Sequence, residues 1–350
     1  MTWSPPLPQP GKPGQGSQPL PAPQSARLEP AAEAHDSSAQ VDVLGEAHDV
    51  AFNAMGTFCH VVVHGSRDLL DHARRRVEEL EQRWSRFLPT SEISRINESH
   101  DQPTAVSSDT YLLIYRATEA WRLTEGLYDP TILPALVAAG YDRSYSDPSA
   151  GVHRVNEPAR PSSPSPGCAA IELDATLRTV RMPAGVQFDG GGIGKGLAVD
   201  LIVEELLDAG ATGACVNLGG DLRVGGLAPT AQGWILGVAD PYNAELIIPV
   251  RIDDGAVVTS TRLLRRWDKC GRTFHHLIDP RTGLPSASDV DAVTVVAGRA
   301  WWAEVLAKAA LIAGMPHAAE LLARGQVTGL VAAGVNRYYE LDGWVDLIAS

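Results

Sequence analysis

A glycine-rich segment in the middle of the chain constrains the fold more than any other feature of the sequence. It reads Phe188-Asp-Gly-Gly-Gly-Ile-Gly-Lys-Gly-Leu-Ala-Val-Asp200. Glycine loses more backbone freedom on ordering than other residues, so the four glycines before Lys195 cannot form a stable helix or strand interior. Apolar residues at helical spacing follow and predict a helix over 195–209. The segment is therefore predicted to be a loop that leads directly into a helix.

A glycine loop, a lysine and a helix N-terminus together suit an anion. Backbone N–H groups can approach phosphate oxygens, the helix dipole favours negative charge, and Lys195 adds a positive charge. The alternative is a tight strand-to-helix turn with a solvated lysine. The common phosphate motifs do not match, because a Walker A loop needs Ser or Thr where Gly196 stands and a dinucleotide fingerprint from Gly190 needs glycine where Lys195 stands. The preferred interpretation is a phosphate loop of another design.

Composition excludes several classes of function. The 350 residues are 44% hydrophobic with a net charge of −13, which indicates a globular protein without a general nucleic-acid surface. No stretch approaches the roughly 20 apolar residues of a membrane span. The four cysteines lie far apart, so reduced, buried thiols are expected rather than a thiolate metal site.

The N-terminal segment differs from the rest of the chain. It is rich in Pro, Gln, Gly, Ser and Ala and has almost no large aliphatic residues. Such a segment cannot bury enough apolar area to offset its ordering entropy. We therefore expect a disordered tail over 1–45 and a folded domain over 46–350. The segment has neither the apolar core of a signal peptide nor a lipid-anchoring cysteine, so a cytoplasmic location is expected.

The folded part is predicted to be α+β, with mixed sheets and flanking helices. A strand is predicted over 55–64, with Cys59, Val61 and Val63 on one face. A turn-rich connection over 84–97 separates two early helices, and a Ser- and Pro-rich loop insertion is expected over 144–167. After residue 168 short apolar runs alternate with turns, and a late helix is expected over 301–313. The strands predicted in this part are 169–173, 178–182, 214–218, 234–239, 247–252, 256–260, 273–278 and 292–297.

Two further segments carry polar groups beside glycine turns. Asn217-Leu-Gly-Gly-Asp221 follows an apolar strand and is typical of a hairpin turn. Phe274-His-His-Leu-Ile-Asp-Pro-Arg-Thr-Gly-Leu-Pro285 is more informative, because it brings His276 and Asp279 to a strand end beside a turn. A histidine in that position can act as a general base, although a lone histidine is more often structural.

The chain resembles the ApbE family of FAD:protein FMN transferases over roughly residues 50–340. Seven motifs in the family's order carry the resemblance. They are Met55-Gly-Thr57, Ser85-Arg-Phe87 running on to Ser91-Glu-Ile-Ser-Arg-Ile-Asn97, Leu127-Tyr-Asp-Pro-Thr131, Asp189 to Gly196, Asn217-Leu-Gly-Gly-Asp221, Thr259-Ser260 and His276-Leu-Ile-Asp-Pro-Arg-Thr-Gly283.

The resemblance implies an ApbE-like fold and a concrete reaction. FAD is the substrate, a threonine hydroxyl of an acceptor flavoprotein attacks its pyrophosphate, AMP leaves, and FMN becomes linked to the threonine through a phosphoester bond. The catalytic residues implied are His276, which accepts the threonine proton, and Lys195, which binds the pyrophosphate. The FAD-binding residues implied are Met55, Phe87, Leu127, Tyr128, Asp129, Asp189, Lys195 and Leu277.

The family's magnesium site is matched only in part. The resemblance implies Mg²⁺ held by the carbonyl of Gly192 and by an Asp-x-x-x-Thr pair, which falls on Glu304 and Lys308. Glutamate can ligate Mg²⁺, whereas an ammonium has no lone pair. Glu304 and Lys308 can instead form an ordinary i,i+4 salt bridge, or the ammonium can stand beside the pyrophosphate in place of the metal. This departure leaves a non-catalytic FAD-binding protein as one alternative to the transferase. The other alternative is a FAD pyrophosphatase, in which the same site would use water instead of the threonine as the nucleophile.

Overall fold

The structure is a computed structural model that describes residues 45–144, 163–269 and 271–349. The predicted N-terminal tail, apart from Gly45, lies outside these residues, as do Cys270 and most of the predicted loop insertion. The described part combines several β-sheets with helices, which confirms the α+β prediction.

The largest sheet has eight strands, and each neighbouring pair is antiparallel. In order across the sheet these are β1 (Ala47–Ala54), β2 (Thr57–His64), β6 (Gly213–Leu218), β7 (Asp221–Gly226), β10 (Gly255–Thr261), β15 (Ala292–Ala297), β16 (Thr328–Ala332) and β17 (Tyr338–Glu340). A three-stranded sheet contains β3 (Thr104–Ala105), β5 (Thr179–Arg181) and β4 (Glu172–Asp174). Three separate hairpins pair β8 (Trp234–Ala239) with β9 (Ile247–Ile252), β11 (Arg266–Lys269) with β12 (Arg272–His275), and β13 (Ile278–Asp279) with β14 (Leu284–Pro285).

The described residues also form helices of different lengths. The longest helix, α1 (Asp68–Trp84), buries Leu70, Ala73, Val77, Leu80 and Trp84 along one stripe, as expected for an amphipathic helix. None of the helices within the described ranges is long and apolar enough to cross a membrane. The helices are α1 (Asp68–Trp84), α2 (Glu92–Asn97), α3 (Ser108–Leu123), α4 (Leu133–Ala139), α5 (Gly194–Asp208), α6 (Ala300–Ala313), α7 (His317–Arg324) and α8 (Trp344–Leu347).

The large sheet is covered on both faces. The alternation of β2 places Cys59, Val61 and Val63 in the main core, which they share with α5 and α6. Val62 points to the opposite face, where the hairpin of β8 and β9 packs together with Trp344 of α8. The sequence prediction that one face of this strand carries Cys59, Val61 and Val63 is confirmed.

Helices α5 and α6 lie unusually close to each other at their N-terminal ends. A Cβ built on Gly196 would lie 2.6 Å from the carbonyl oxygen of Ala300, which is much closer than real Cβ contacts allow. The buried carboxylate of Asp200 accepts hydrogen bonds from the backbone N–H groups of Ala300 and Trp301, at 3.0 and 2.9 Å. The Asp200 side chain of α5 therefore caps the N-terminus of α6. This contact brings the glycine-rich turn beside α6.

Three predicted segments differ from the observed structure. The connection over 84–97 contains the short helix α2, because the Ser91 side chain accepts the N–H of Ser94 and caps it. The strand predicted over 169–173 begins only at Glu172, since a turn closed by the Ile171 N–H on the Cys168 carbonyl precedes it. The strand predicted over 273–278 is split, because the chain bends between β12 and β13.

The cysteines within the described residues are free, as predicted. Cys59, Cys168 and Cys215 are buried thiols. Burial raises the pKa of Cys59 and of Cys215 to about 12. These thiols are therefore protonated at neutral pH and are poor nucleophiles.

Candidate active site

A cavity lies between the glycine-rich turn, the end of α1, the Leu127–Ile132 segment and the bend after β12. Its wall includes almost all of the site residues that the sequence predicts; Glu304 lies behind the wall. The predicted residues that line the cavity are Met55, Phe87, Leu127, Tyr128, Asp129, Asp189, Gly192, Lys195, His276, Leu277 and Lys308.

The glycine-rich turn is held in shape by Asp189. Gly190–Gly192 form a 3-10 turn, and the Asp189 side chain accepts the N–H of Gly191 at 2.7 Å. Nε of Arg86 lies 2.5 Å from the other carboxylate oxygen of Asp189, in a nearly buried ion pair. Asp189 therefore acts on the cavity chiefly by fixing the turn and by holding Arg86 beside it.

Asp129 is likewise bonded within its own loop. Its carboxylate accepts the N–H of Thr131 at 2.8 Å and the hydroxyl of the same residue at 2.6 Å. Burial raises the pKa of Asp129, and the two Thr131 bonds oppose this shift. The residue shapes the loop that forms one wall of the cavity.

Lys195 is not a solvated lysine. Its ammonium forms an ion pair with Asp221 and lies 2.9 Å from Oε1 of Glu304. The ammonium of Lys308 lies 2.9 Å from the same Oε1 atom, and the N–H of Gly196 donates to Oε2 at 2.8 Å. Two ammonium groups and two carboxylates thus form one cluster, which we call the lysine-carboxylate cluster. The alternative of a simple turn with a solvated lysine is wrong.

The cluster keeps its charges although it is removed from water. Burial alone would raise the pKa of Glu304, but the charges of Lys195 and Lys308 outweigh it and lower the pKa to about 2. Burial, together with the charge of Glu304, raises the pKa of Asp221 to about 6. Burial opposes the charge of Lys195, yet Asp221 and Glu304 raise its pKa above the ordinary value. Burial lowers the pKa of Lys308, and the charge of Glu304 opposes this shift. Paired charges of this kind can remain ionised at neutral pH.

Three polar atoms on residues that line the cavity have no hydrogen-bond partner within the described part of the chain. They are Nδ1 of His276, the hydroxyl of Tyr128 and Nε1 of Trp84. Burial, followed by the positive charges of Arg265 and Lys308, lowers the pKa of His276 well below its usual value. His276 is therefore a neutral imidazole at neutral pH and can accept a proton. Buried polar atoms are normally hydrogen-bonded, so these three are suited to a ligand.

The neighbouring histidine has a structural role. The ring of His275 accepts the N–H of Leu277 on Nδ1 at 3.3 Å, and its Nε2 lies 3.1 Å from the carbonyl of Ser286. This pairing requires the proton on Nε2. Asp279 also lies off the cavity wall: it accepts from Arg281 at 2.9 Å and closes the turn between β13 and β14.

Several residues at the cavity were not singled out from the sequence. The Arg86 guanidinium lies 4.1 Å from the ring centroid of Phe87 and 5.0 Å from that of Tyr141. Tyr141 in turn stacks on Trp267 with centroids 5.7 Å apart. Arg86 lies inside the Ser85-Arg-Phe87 motif and could have been noticed there. Tyr141 and Trp267 are far apart in sequence, and no local signal connects them.

The side chains at the implied magnesium site do not suit that ion. Gly192, Glu304 and Lys308 do lie together, since a Cβ on Gly192 would be 3.6 Å from Cδ of Lys308. Within the described ranges no group of three or more His, Cys, Asp or Glu side chains could hold a metal. An ammonium in place of an oxygen ligand does not fit Mg²⁺.

Comparisons with known proteins agree with these observations. Residues 55–331 match the ApbE family. The FAD:protein FMN transferase of Treponema pallidum (strain Nichols) is 28% identical over 298 residues, which cover 77% of this chain and 79% of that protein. The enzyme of the same name from Chlamydia trachomatis is 29% identical over 259 residues, covering 70% and 77%.

Solved structures show the same fold. The crystal structure of the ApbE protein from Thermotoga maritima superposes with a TM-score of 0.77 and 25% identity, over 87% of this chain and 100% of that one. The flavin transferase ApbE from Vibrio cholerae gives a TM-score of 0.71 and 22% identity, over 87% and 99%. From the family match and this shared fold, the chain belongs to the ApbE family.

Proposed function

We propose that the protein is a flavin transferase that moves FMN from FAD to a threonine hydroxyl of an acceptor flavoprotein and releases AMP. The observation that carries this proposal is a neutral, unpartnered His276 at a cavity whose wall also contains the ammonium groups of Lys195 and Lys308. A base beside fixed positive charges suits an alcohol attacking a pyrophosphate. The family membership and the names of the relatives support the same activity.

The reaction balances with the residues at the cavity. The threonine oxygen forms a bond to the phosphorus that carries riboflavin, and the bond from this phosphorus to the bridging oxygen breaks. The bridging oxygen leaves with AMP, and the hydroxyl proton passes to His276. Phosphoryl transfer depends mainly on positioning and on stabilising negative charge, so His276 and the two lysines suffice as the reacting groups of the protein.

The remaining wall residues would bind and orient FAD. The N-terminal turn of α5 and Lys195 would receive the pyrophosphate. Met55, Phe87, Leu127, Tyr128 and Leu277 would contact the ring systems, and Tyr128 can also donate its unpartnered hydroxyl. Asp129 and Asp189 would act by holding the loops on which these contacts depend. A cytoplasmic location stays a prediction of the sequence.

One assay tests the proposal against its alternatives. Purified protein is incubated with FAD and a recombinant acceptor flavoprotein that carries a Thr-Gly-Ala-Thr-like target segment, and AMP is measured by chromatography. Fluorescent labelling of the acceptor, lost when the target threonine is replaced by alanine, supports the transferase. AMP release without labelling indicates a FAD pyrophosphatase. FAD binding without AMP release indicates a non-catalytic binding protein.

A calorimetric comparison tests the binding part of the proposal. FAD is expected to bind more tightly than FMN or riboflavin, because the proposed contacts include both the pyrophosphate and the adenosine half. Equal affinity for FMN would show that the AMP half contributes nothing, and the placement of the pyrophosphate on the glycine-rich turn would then be wrong.

A further inference from the structure

Helix α6 departs from the implied metal site at two positions. Glu304 stands at the position of the aspartate and Lys308 at the position of the threonine. The Lys308 stem lies against the glycine-rich turn, 3.6 Å from a Cβ built on Gly192. The Lys308 side chain therefore lies beside Gly192, whose carbonyl is the expected Mg²⁺ ligand.

The oxygens of Glu304 are already engaged. The residue is 0% exposed. Its Oε1 receives both lysine ammonium groups at 2.9 Å, and its Oε2 receives the N–H of Gly196 at 2.8 Å. A metal at Oε1 would have to displace an ammonium or stand within a few ångströms of two positive charges. Either outcome opposes the binding of a divalent cation.

The net charge of the lysine-carboxylate cluster also opposes the binding of a divalent cation. Lys195 and Lys308 carry two positive charges, and Asp221 and Glu304 carry two negative charges, so the cluster is neutral in sum. A hydroxyl residue at position 308 would leave one net negative charge, which favours a cation. The ammonium of Lys308 cancels that negative charge. A side chain of the protein thus supplies the positive charge that a bound cation would otherwise supply.

The positive members of the cluster face the cavity. Among the described residues the wall includes Lys195 and Lys308, whereas Asp221 and Glu304 lie behind it. The wall also includes three acidic residues: Asp189, which is paired with Arg86, Asp129, which is bonded to Thr131, and Glu81. An anion in the cavity would therefore meet two ammonium groups whose counter-charges are set back in the protein. This arrangement matches a pyrophosphate, which carries two negative charges.

We infer that Lys308 replaces the divalent cation of this site, so that Lys195 and Lys308 together neutralise the FAD pyrophosphate and the protein cleaves FAD without a metal. This inference rests on the proposed function. The two ammonium groups donate to the phosphate oxygens and stabilise the charge that passes to AMP as the bridging bond breaks. The proton still leaves the threonine for His276.

The first test measures AMP release from FAD by the protein, in the presence of the acceptor flavoprotein, after removal of metals. The rate is expected to be the same, within about twofold, in EDTA and in excess Mg²⁺, because the required charge belongs to the chain. Loss of AMP release in EDTA, restored by Mg²⁺, would overturn the inference.

A second test does not depend on activity. Mn²⁺ serves as a paramagnetic substitute for Mg²⁺, and its binding is followed by electron paramagnetic resonance in the presence of FAD. The wild-type protein is expected to bind Mn²⁺ only weakly. The double variant Glu304→Asp/Lys308→Thr is expected to bind it at least about tenfold more tightly, because a carboxylate and a hydroxyl oxygen replace an ammonium. Tight binding by the wild type that this double change leaves unaltered would show that a metal is held elsewhere.

Two controls separate the charge of Lys308 from the loss of a buried lysine. Lys308→Arg keeps a positive charge beside Glu304 and should not create Mn²⁺ binding. Lys269→Thr removes another buried lysine, whose ammonium donates to the carbonyl of Ala138, and should not create Mn²⁺ binding. Mn²⁺ binding by Lys269→Thr as tight as that of the double variant would contradict the assignment to Lys308. Should the double variant fail to fold, both wild-type measurements still decide the inference.

Different experimental results would overturn the inference and the proposed function. If no form releases AMP from FAD with any acceptor or metal, the transferase proposal is overturned. The Mn²⁺ titration then still tests whether Lys308 occupies the cation position. If AMP is released only with Mg²⁺, the transferase proposal stands and the inference is overturned.

Discussion

The backbone N–H of Gly196 donates a hydrogen bond of 2.8 Å to Oε2 of Glu304. This bond joins the first turn of α5, which carries Lys195, to the helix that carries Lys308. The position of the two ammonium groups at the cavity therefore depends on how closely α5 approaches α6. A residue with a Cβ at position 196 would change that distance.

Gly196→Ala is expected to destabilise the protein and to reduce AMP release. The new Cβ would lie 2.6 Å from the Ala300 carbonyl oxygen, so the helices must separate. Overpacking of this kind costs about 1–3 kcal/mol of unfolding free energy, which urea denaturation measures. Gly298→Ala is the matched control, because no atom lies within 4 Å of a Cβ built there. Equal stability of the two variants would contradict the close approach of α5 and α6.

Lys195→Ala is expected to weaken both the fold and FAD binding. Removing one partner from a buried ion-pair cluster costs about 3–5 kcal/mol, because Asp221 and Glu304 would then share one ammonium. Losing a charge-assisted contact of about 1.5–3 kcal/mol should reduce FAD affinity at least about tenfold. Urea denaturation and calorimetry measure the two effects. A folded variant whose FAD affinity falls less than about threefold would show that Lys195 does not contact the pyrophosphate.

The two adjacent histidines are expected to respond differently to substitution. His276→Ala should leave FAD affinity nearly unchanged and slow AMP release by about 10²–10⁴, the usual contribution of a general base. His275→Ala removes two hydrogen bonds within the chain, so it should lower the unfolding free energy by about 1–3 kcal/mol and affect the rate much less. Single-turnover assays with bound FAD measure the chemical step. A reversed order would mean that His275 is the base.

The pH dependence of AMP release is expected to follow His276. Burial and the positive charges of Arg265, Lys308, His275 and Lys195 lower its pKa well below 6.5. The neutral ring is the active form, and it exists above this lowered pKa. Therefore kcat/KM for FAD should be constant through neutral pH and should fall only at pH values well below 6.5. A decline that already begins above pH 6.5 would contradict the neutral, desolvated histidine.

Local sequence patterns predicted much of the fold. The glycine run followed by helical spacing predicted the turn and α5, and the alternation of β2 predicted which of its side chains enter the main core. Both features depend on neighbours within a few residues, so they are visible without the tertiary structure. The continuous strand predicted over 273–278 was wrong, because the bend after β12 depends on hydrogen bonds of the His275 ring to Leu277 and Ser286.

The sequence by itself determined the chemical identity of the site, and the tertiary structure decided how its charges are paired. Lys195 and Lys308 could be named from their motifs, together with the fact that an ammonium cannot ligate a metal. The Glu304–Lys308 pair could also be proposed from its i,i+4 spacing. The partners of Lys195 could not, since Asp221 and Glu304 lie 26 and 109 residues from it along the chain. Those contacts exist because α5 and α6 pack together on one face of the large sheet. A charge buried there is costly unless it is paired with an opposite charge.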